Sequence, residues 1–339
     1  MAQQDSELSE RLAADLIDVE RRFASELQSD LACVNDLVNH IERYRGKMLR
    51  PTLVLVTAMA CVSTDGFPVN DSHRIVATVT EMVHMATLVH DDILDEAEMR
   101  RRGQTINNLS GNEAAVMLGD YLISHAYHLC SSIPDSDVSR MIADATNTVC
   151  EGELLQLHNR KNFNLTEQTY YDIIRRKTAS LCGICCKLAA YLSKAQPHTA
   201  DALYSYGEKL GIAFQIVDDV LDLLGDEQTV GKSLGRDLEK SKLTLPLIHY
   251  LNTADEADRN VMLSLLDQQR QTDLPEQTRH EQVGIIAGRL RQFGSVDYAR
   301  DKAASLVEQA KLVVTEHLPE SPAASLLISM ADAVLSREF

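Results

Sequence analysis

Residues 88–95 read Leu-Val-His-Asp-Asp-Ile-Leu-Asp, and residues 214–222 repeat the pattern as Phe-Gln-Ile-Val-Asp-Asp-Val-Leu-Asp. In each stretch the outer aspartates stand four apart, Asp91 with Asp95 and Asp218 with Asp222. That spacing puts two side chains on one face of an α-helix. Leu88, Val89, Ile93 and Leu94 flank and interleave the first pair, so its face is expected to be half-buried. Buried carboxylates cost several kcal/mol unless they are paired or bind a metal. Two clusters with one spacing are hard to explain as solvated helix faces. Opposed across a cleft, they would be tolerable only with hard cations between them. Carboxylate oxygens without His or Cys ligands suit magnesium, which keeps waters and favours sites shared with substrate phosphates. Gln215 lies one turn before Asp218, and His84 lies seven residues before Asp91 on the same predicted face.

Outward from these stretches, nearly every segment carries helical periodicity. With 15 Gly and 8 Pro in 339 residues, helix breakers are few. The pattern predicts helices over 5–25, 30–42, 51–62, 72–98, 112–132, 136–158, 167–193, 198–223, 243–252, 256–269, 280–292, 296–316 and 322–337. Loops are expected at 63–71, 99–111, 159–166 and 224–241, the last long enough to suggest a lid. No Pro-, Ser- or Gly-rich linker divides the chain. The expectation is all-α: one large helical bundle domain over 1–339.

Net charge is −17, with 33 Lys and Arg against 50 Asp and Glu. So acidic a chain is a poor partner for nucleic acid, and it needs cations to hold an anionic small molecule. No apolar run approaches the roughly 20 residues that span a bilayer, and the polar, acidic start shows no signal peptide. Seven irregularly spaced cysteines suggest reduced thiols in a cytoplasm. Cys182, Cys185 and Cys186 lack a partnering Cys or His pair and read as buried core thiols.

Basic residues are scarce, so clustered ones are informative. Lys47 and Arg50 stand beside the start of an apolar helix that has Pro51 in its first turn, a natural phosphate site. Arg100, Arg101 and Arg102 follow Asp95 closely, and arginine grips phosphate bidentately. Lys177 and Thr178 close the run Tyr-Tyr-Asp-Ile-Ile-Arg-Arg, and Lys232 and Lys242 lie in and just after the loop behind the second cluster.

Taken in order, the pieces are G-K-M-L-R-P at 46–51, H-D-D-I-L-D-E-A-E-M-R-R at 90–101 and L-G-D-Y-L at 118–122. E-G-E-L-L-Q at 151–156, K-T-A at 177–179 and G-I-A-F-Q-I-V-D-D-V-L-D at 211–222 follow. G-K-S-L-G-R-D-L at 231–238 and K-L-T-L-P at 242–246 complete the set. Each piece is weak, but the ordered set over residues 40–337 resembles the trans-isoprenyl diphosphate synthases, most of all the long-chain polyprenyl members. The resemblance implies a helical bundle of the isoprenoid-synthase type around a deep central cavity, and a homodimer. It implies that Asp91, Asp95, Asp218 and Asp222 hold about three magnesium ions on an allylic prenyl diphosphate. It implies that Arg100, Lys177, Thr178, Gln215, Lys232 and Lys242 contact that substrate, and that Lys47, Arg50, His84 and Arg101 hold isopentenyl diphosphate. The sequence departs from the family pattern at Arg102-Gly103-Gln104 and at Ser241, which stands where Gly is usual.

In this family, side chains one or more turns before the first aspartate set product length. Here these are Ala86 and Thr87, then Val83 and Met82. Small residues favour a product longer than farnesyl, such as the polyprenyl tail of a quinone. A cytoplasmic enzyme with loose membrane association through its lipid product is expected. Two rival readings fit less well. A class I terpene cyclase would usually replace the second aspartate cluster, and a regulatory subunit of a heteromeric synthase would lose its acidic clusters.

Overall fold

The computed structural model describes residues 2–42, 46–61, 69–100, 103–224, 235–240, 242–269 and 275–336. In chain order the helices are α1 Ala2–Glu26, α2 Ala32–Ile41, α3 Leu49–Ala60, α4 Asp71–Leu94, α5 Ile106–Ser110, α6 Asn112–Cys130, α7 Ser136–His158, α8 Glu167–Ile174 and α9 Ser180–Leu192. They continue as α10 Pro197–Leu224, α11 Arg236–Glu239, α12 Leu245–Thr253, α13 Glu256–Gln269, α14 Glu276–Gln292, α15 Ser295–His317 and α16 Pro322–Leu335. A two-stranded antiparallel ribbon pairs β1 Met99–Arg100 with β2 Gly103–Gln104. The all-α expectation holds among the described residues, and none of their helices is long and apolar enough to cross a membrane.

The chain forms two compact units. The first comprises Met1–Asn147, Leu181–Gly207 and Lys311–Ser329; the second comprises Thr148–Ser180, Glu208–Ala310 and Met330–Phe339.

In the first unit, α4 is the central element and packs on α6, α3 and α1. It buries Val76, Val79, Met82, Val83, Ala86 and Val89 completely or nearly so. Each such valine contributes about 1.5–3 kcal/mol of transfer free energy. The start of α4 is fixed by a capping box. Asn70 accepts from the His73 N–H through its side chain, and the His73 ring accepts from the Asn70 N–H at 3.2 Å. The other ring nitrogen of His73 lies 3.2 Å from the Ala189 carbonyl. One nitrogen accepts and the other donates, which fixes the neutral tautomer, and burial pushes the His73 pKa down. Cys182, Cys185 and Cys186 lie in this unit's core with their thiols pushed up by burial, and Cys61 is pushed up to about 12.

The predicted helix 72–98 stops early. Asp95 caps α4, and Glu96 turns left-handed at φ 48. The Ala97 N–H donates to the Asp92 carbonyl at 2.9 Å and the Glu96 N–H to the Ile93 carbonyl at 3.1 Å. This is a Schellman ending with Glu96 where glycine is the usual choice, a strain of order 1 kcal/mol. It sends the chain into the ribbon and then into α5, within the span read as a loop.

In the second unit, α12 packs on α8, α13 and α14. The predicted helix 167–193 is also interrupted: Arg175–Ala179 form a π-helical turn between α8 and α9. The extra residue rephases the helix by about 100°. The Ser180 hydroxyl donates to the Arg176 carbonyl at 2.6 Å, satisfying a group that the widened turn displaces.

Candidate active site

In the first unit, His84, Thr87, Leu88 and Asp91 of α4 are half-open and run down one stripe, with Asp95 at the cap, while His90 and Ile93 are half-open on other sides of the helix. The sequence expected His84, Asp91 and Asp95 to share a face, and they do. Asp92, between them, is 1% exposed. Arg100, carried back by the ribbon, clamps it: Nε lies 3.0 Å from both carboxylate oxygens and Nη2 2.8 Å from Oδ1. Burial pushes the Asp92 carboxyl up, Asp91 and Asp95 push the same way, and the Arg100 guanidinium opposes them. Arg100, assigned to substrate by resemblance, is therefore also the counter-ion of the middle aspartate. Of the residues assigned to product length, Met82, Val83 and Ala86 are at most 1% exposed, and Thr87 is half-buried with its hydroxyl on the His84 carbonyl at 2.7 Å.

Helix α3 begins at Leu49 after Met48, a left-handed residue (φ 51) that gives no side-chain cap. Its first N–H groups thus lack a capping side chain. Lys47 is exposed and Arg50 half-buried in the first turn, where Nε of Arg50 is buried without a hydrogen bond. A buried guanidinium N–H at the positive end of a helix is suited to an anion. Arg101 lies outside the described residues.

In the second unit, the half-open residues of α10 before its end are Phe214, Gln215, Asp218 and Asp222, while 216, 217, 219–221, 223 and 224 are buried. The middle aspartate again turns inward. Asp219 accepts from the Tyr170 hydroxyl at 2.6 Å and from Gln215 Nε2 at 2.8 Å. Burial, then the neighbouring Asp237, push the Asp219 carboxyl well up, against the two hydrogen bonds. Gln215 in turn accepts from the Thr178 hydroxyl at 3.1 Å. Thr178 and Gln215, predicted as substrate contacts, are thus joined in one network. Asp222 Oδ2 accepts from the Asp237 N–H at 3.1 Å, and its carbonyl from the Gly235 N–H at 2.8 Å. This ties the segment after residue 234 to the acidic helix end. Lys242 follows, half-buried, with its N–H on the Asp237 carbonyl at 2.8 Å. Lys232 lies outside the described residues.

Lys177 lies in the π-turn and forms an ion pair with Glu153 of α7. Gly152 lets the two segments approach: a Cβ there would stand 2.4 Å from the Lys177 nitrogen and 2.8 Å from Arg176 Cβ. Beside it, Glu151 pairs with Arg176 at 2.6 Å.

Sequence reasoning gave no separate role to Asp92, Asp219, Gly152 or Glu153, although they stand in the stretches quoted above, and it missed Tyr170. The inner aspartates carry a signal only if the helix face is drawn in full. Tyr170 has none, standing 49 positions from Asp219.

Can these residues hold magnesium? Among the described residues no three His, Cys, Asp or Glu side chains form a ready-made metal cage. Magnesium does not need one: it is commonly held by one or two carboxylates, waters and substrate phosphates. Both acidic helices end on their aspartates with no basic residue in the last turn. The negative end of the helix dipole adds to the carboxylates there, so an oxygen-seeking cation is favoured. The residues fit.

The polyprenyl synthetase family model matches residues 32–280. Octaprenyl diphosphate synthase of Escherichia coli is 31% identical over 331 residues, 98% of each chain. Among solved structures, a decaprenyl diphosphate synthase from Rhodobacter capsulatus matches at TM-score 0.87 and 32% identity, with 99% of each chain covered. A polyprenyl synthase from Caulobacter crescentus, complexed with calcium and isoprenyl diphosphate, matches at TM-score 0.88 and 29% identity over 100% of this chain and 98% of that one. The chain belongs to the polyprenyl synthetase family.

Proposed function

We propose that this prenyltransferase condenses isopentenyl diphosphate with an allylic prenyl diphosphate to give a longer all-trans polyprenyl diphosphate. The observation that carries the reading is the pair of acid-ended helices, each with two half-open aspartates and a third tied inward. The domain spans the chain and acts as a homodimer.

Asp91, Asp95, Asp218 and Asp222 would hold magnesium, about three ions by family resemblance, and the metal would supply positive charge against the charge that develops on the departing diphosphate of the allylic substrate. Lys177, Lys232 and Arg100 add fixed positive charge at the same group. Thr178, Gln215 and Lys242 orient it. Lys47, Arg50, His84 and Arg101 hold isopentenyl diphosphate, whose double bond attacks the allylic cation. A proton then leaves to the released diphosphate. The sequence suggests no nucleophilic Ser or Cys, and the reaction requires none. Apolar walls protect the cation from water.

Ala86 and Thr87, then Val83 and Met82, set the product length. Their small to moderate size, together with octaprenyl and decaprenyl synthases among the relatives, supports a product longer than farnesyl, such as a quinone side-chain precursor.

The test incubates the purified chain with magnesium, labelled isopentenyl diphosphate and geranyl, farnesyl or geranylgeranyl diphosphate. Chromatography of the dephosphorylated products is expected to show labelled chains longer than farnesol. No incorporation by the chain alone would refute the reading.

A further inference from the structure

The pairing of α7 with the π-turn serves no purpose in the scheme above, yet it is built with care. Lys177 is 20% exposed in its side chain and its partner Glu153 only 15%. Gln156 Nε2 approaches the other Glu153 oxygen at 3.4 Å. Gly152 removes the Cβ that would push the turn away. By contrast the neighbouring Glu151 is 62% exposed, and its pair with Arg176 is an ordinary surface contact.

A lysine stem has four rotatable carbons, so an ammonium meant for an anion loses much of its freedom on binding. A counter-ion that already fixes the stem removes that loss in advance. We propose that Glu153 is a positioning residue for the prenyl-transfer reaction: it holds the Lys177 ammonium from behind, so that the remaining donors of Lys177 meet the allylic diphosphate in a set orientation. Gly152 supports it by letting the backbone of the π-turn lie against α7. The inference rests on the substrate assignment of Lys177 made above.

The two explanations for Glu153 differ in sign. A carboxylate near an anion site repels the anion, so if Glu153 had no positioning role its neutralisation would leave the KM for the allylic substrate unchanged or lower it. If it positions Lys177, Glu153→Gln raises that KM about tenfold, the scale of one charge-assisted hydrogen bond. The KM for isopentenyl diphosphate stays within about twofold, because a different set of residues holds that substrate. Glu153→Asp, one methylene short but still charged, shows a smaller rise. In a Lys177→Gln background, Glu153→Gln adds nothing, as expected of residues acting through one another. Glu151→Gln serves as the exposed control.

The experiment is steady-state kinetics on the full-length chain with farnesyl diphosphate and isopentenyl diphosphate varied in turn. If Glu153→Gln fails to fold, Glu153→Asp carries the test by the same KM split. An unchanged or lowered KM for farnesyl diphosphate in the folded variant, or equal effects with and without Lys177, overturns the inference while leaving prenyl transfer standing. A wild-type chain that incorporates no isopentenyl units removes the parent reading and this inference with it.

Discussion

Replacing Gly152 by alanine sets two physical rules against each other. Gly152 lies inside α7, where helix propensity alone says alanine stabilises by about 1 kcal/mol. The structure says otherwise. The new Cβ would meet the Lys177 backbone nitrogen at 2.4 Å and Arg176 carbonyl carbon at 2.9 Å, where ordinary contact begins at 3.4 Å. Backbone atoms cannot rotate away, so the π-turn must retreat by about 1 Å at an overpacking cost of roughly 1–3 kcal/mol. The net is a destabilisation of about 0–2 kcal/mol, a melting temperature lower by up to a few degrees. With Lys177 in its proposed substrate contact, the larger effect is on turnover, because a misplacement of about 1 Å at such a group can cost about 100-fold. The controls are Gly284→Ala and Gly288→Ala in α14, where the added Cβ meets nothing within 4 Å. These should be stabilised by a few tenths to 1 kcal/mol with turnover unchanged. Thermal unfolding and initial-rate assays on the three proteins decide it. A Gly152→Ala protein that is as stabilised as the controls and fully active refutes the close-approach argument.

Asp91→Ala and Asp218→Ala are each expected to lower turnover by orders of magnitude with circular dichroism unchanged; full activity in both would sink the metal assignment. Ala86→Phe should shorten the product, read by chromatography of the dephosphorylated chains, and an unchanged length removes Ala86 from the set that governs it. Tyr170→Phe leaves the buried Asp219 short of a donor, which should cost about 1–3 kcal/mol by denaturant titration. For His73 the depressed folded pKa means that the native state binds fewer protons than the unfolded chain below the usual value of 6.5. Its contribution is therefore complete above 6.5 and is lost as pH falls through the depressed value, with Arg74 reinforcing the depression and Asp15 opposing it. The stability difference between wild type and His73→Gln should narrow on acidification from pH 7, and a gap that widens would contradict the neutral tautomer.

The helices were legible because each must bury an apolar stripe, and that requirement is written every three or four residues. The interruptions were not. The π-turn at 175–179 falls inside the span 167–193 predicted as one helix, and its run Arg-Arg-Lys-Thr-Ala does not distinguish a widened turn from an ordinary polar helix face. The stop at Leu94 hides because Glu96 occupies a position where glycine would have announced it. The shared face of the outer aspartates could be read from their spacing of four. Partners such as Tyr170 for Asp219, or Glu153 for Lys177, come together only through tertiary packing, and no linear interval encodes them.

The inward tethering of Asp92 and Asp219 means that charge is not interchangeable along either acidic row. Written out, the rows hold six identical letters, Asp91, Asp92, Asp95, Asp218, Asp219 and Asp222, but they do two different jobs. Four are half-open, while Asp92 and Asp219 are buried and fastened to Arg100 and Tyr170. Sliding an aspartate by one place would preserve composition, net charge and isoelectric point, and would still trade a hand for an anchor.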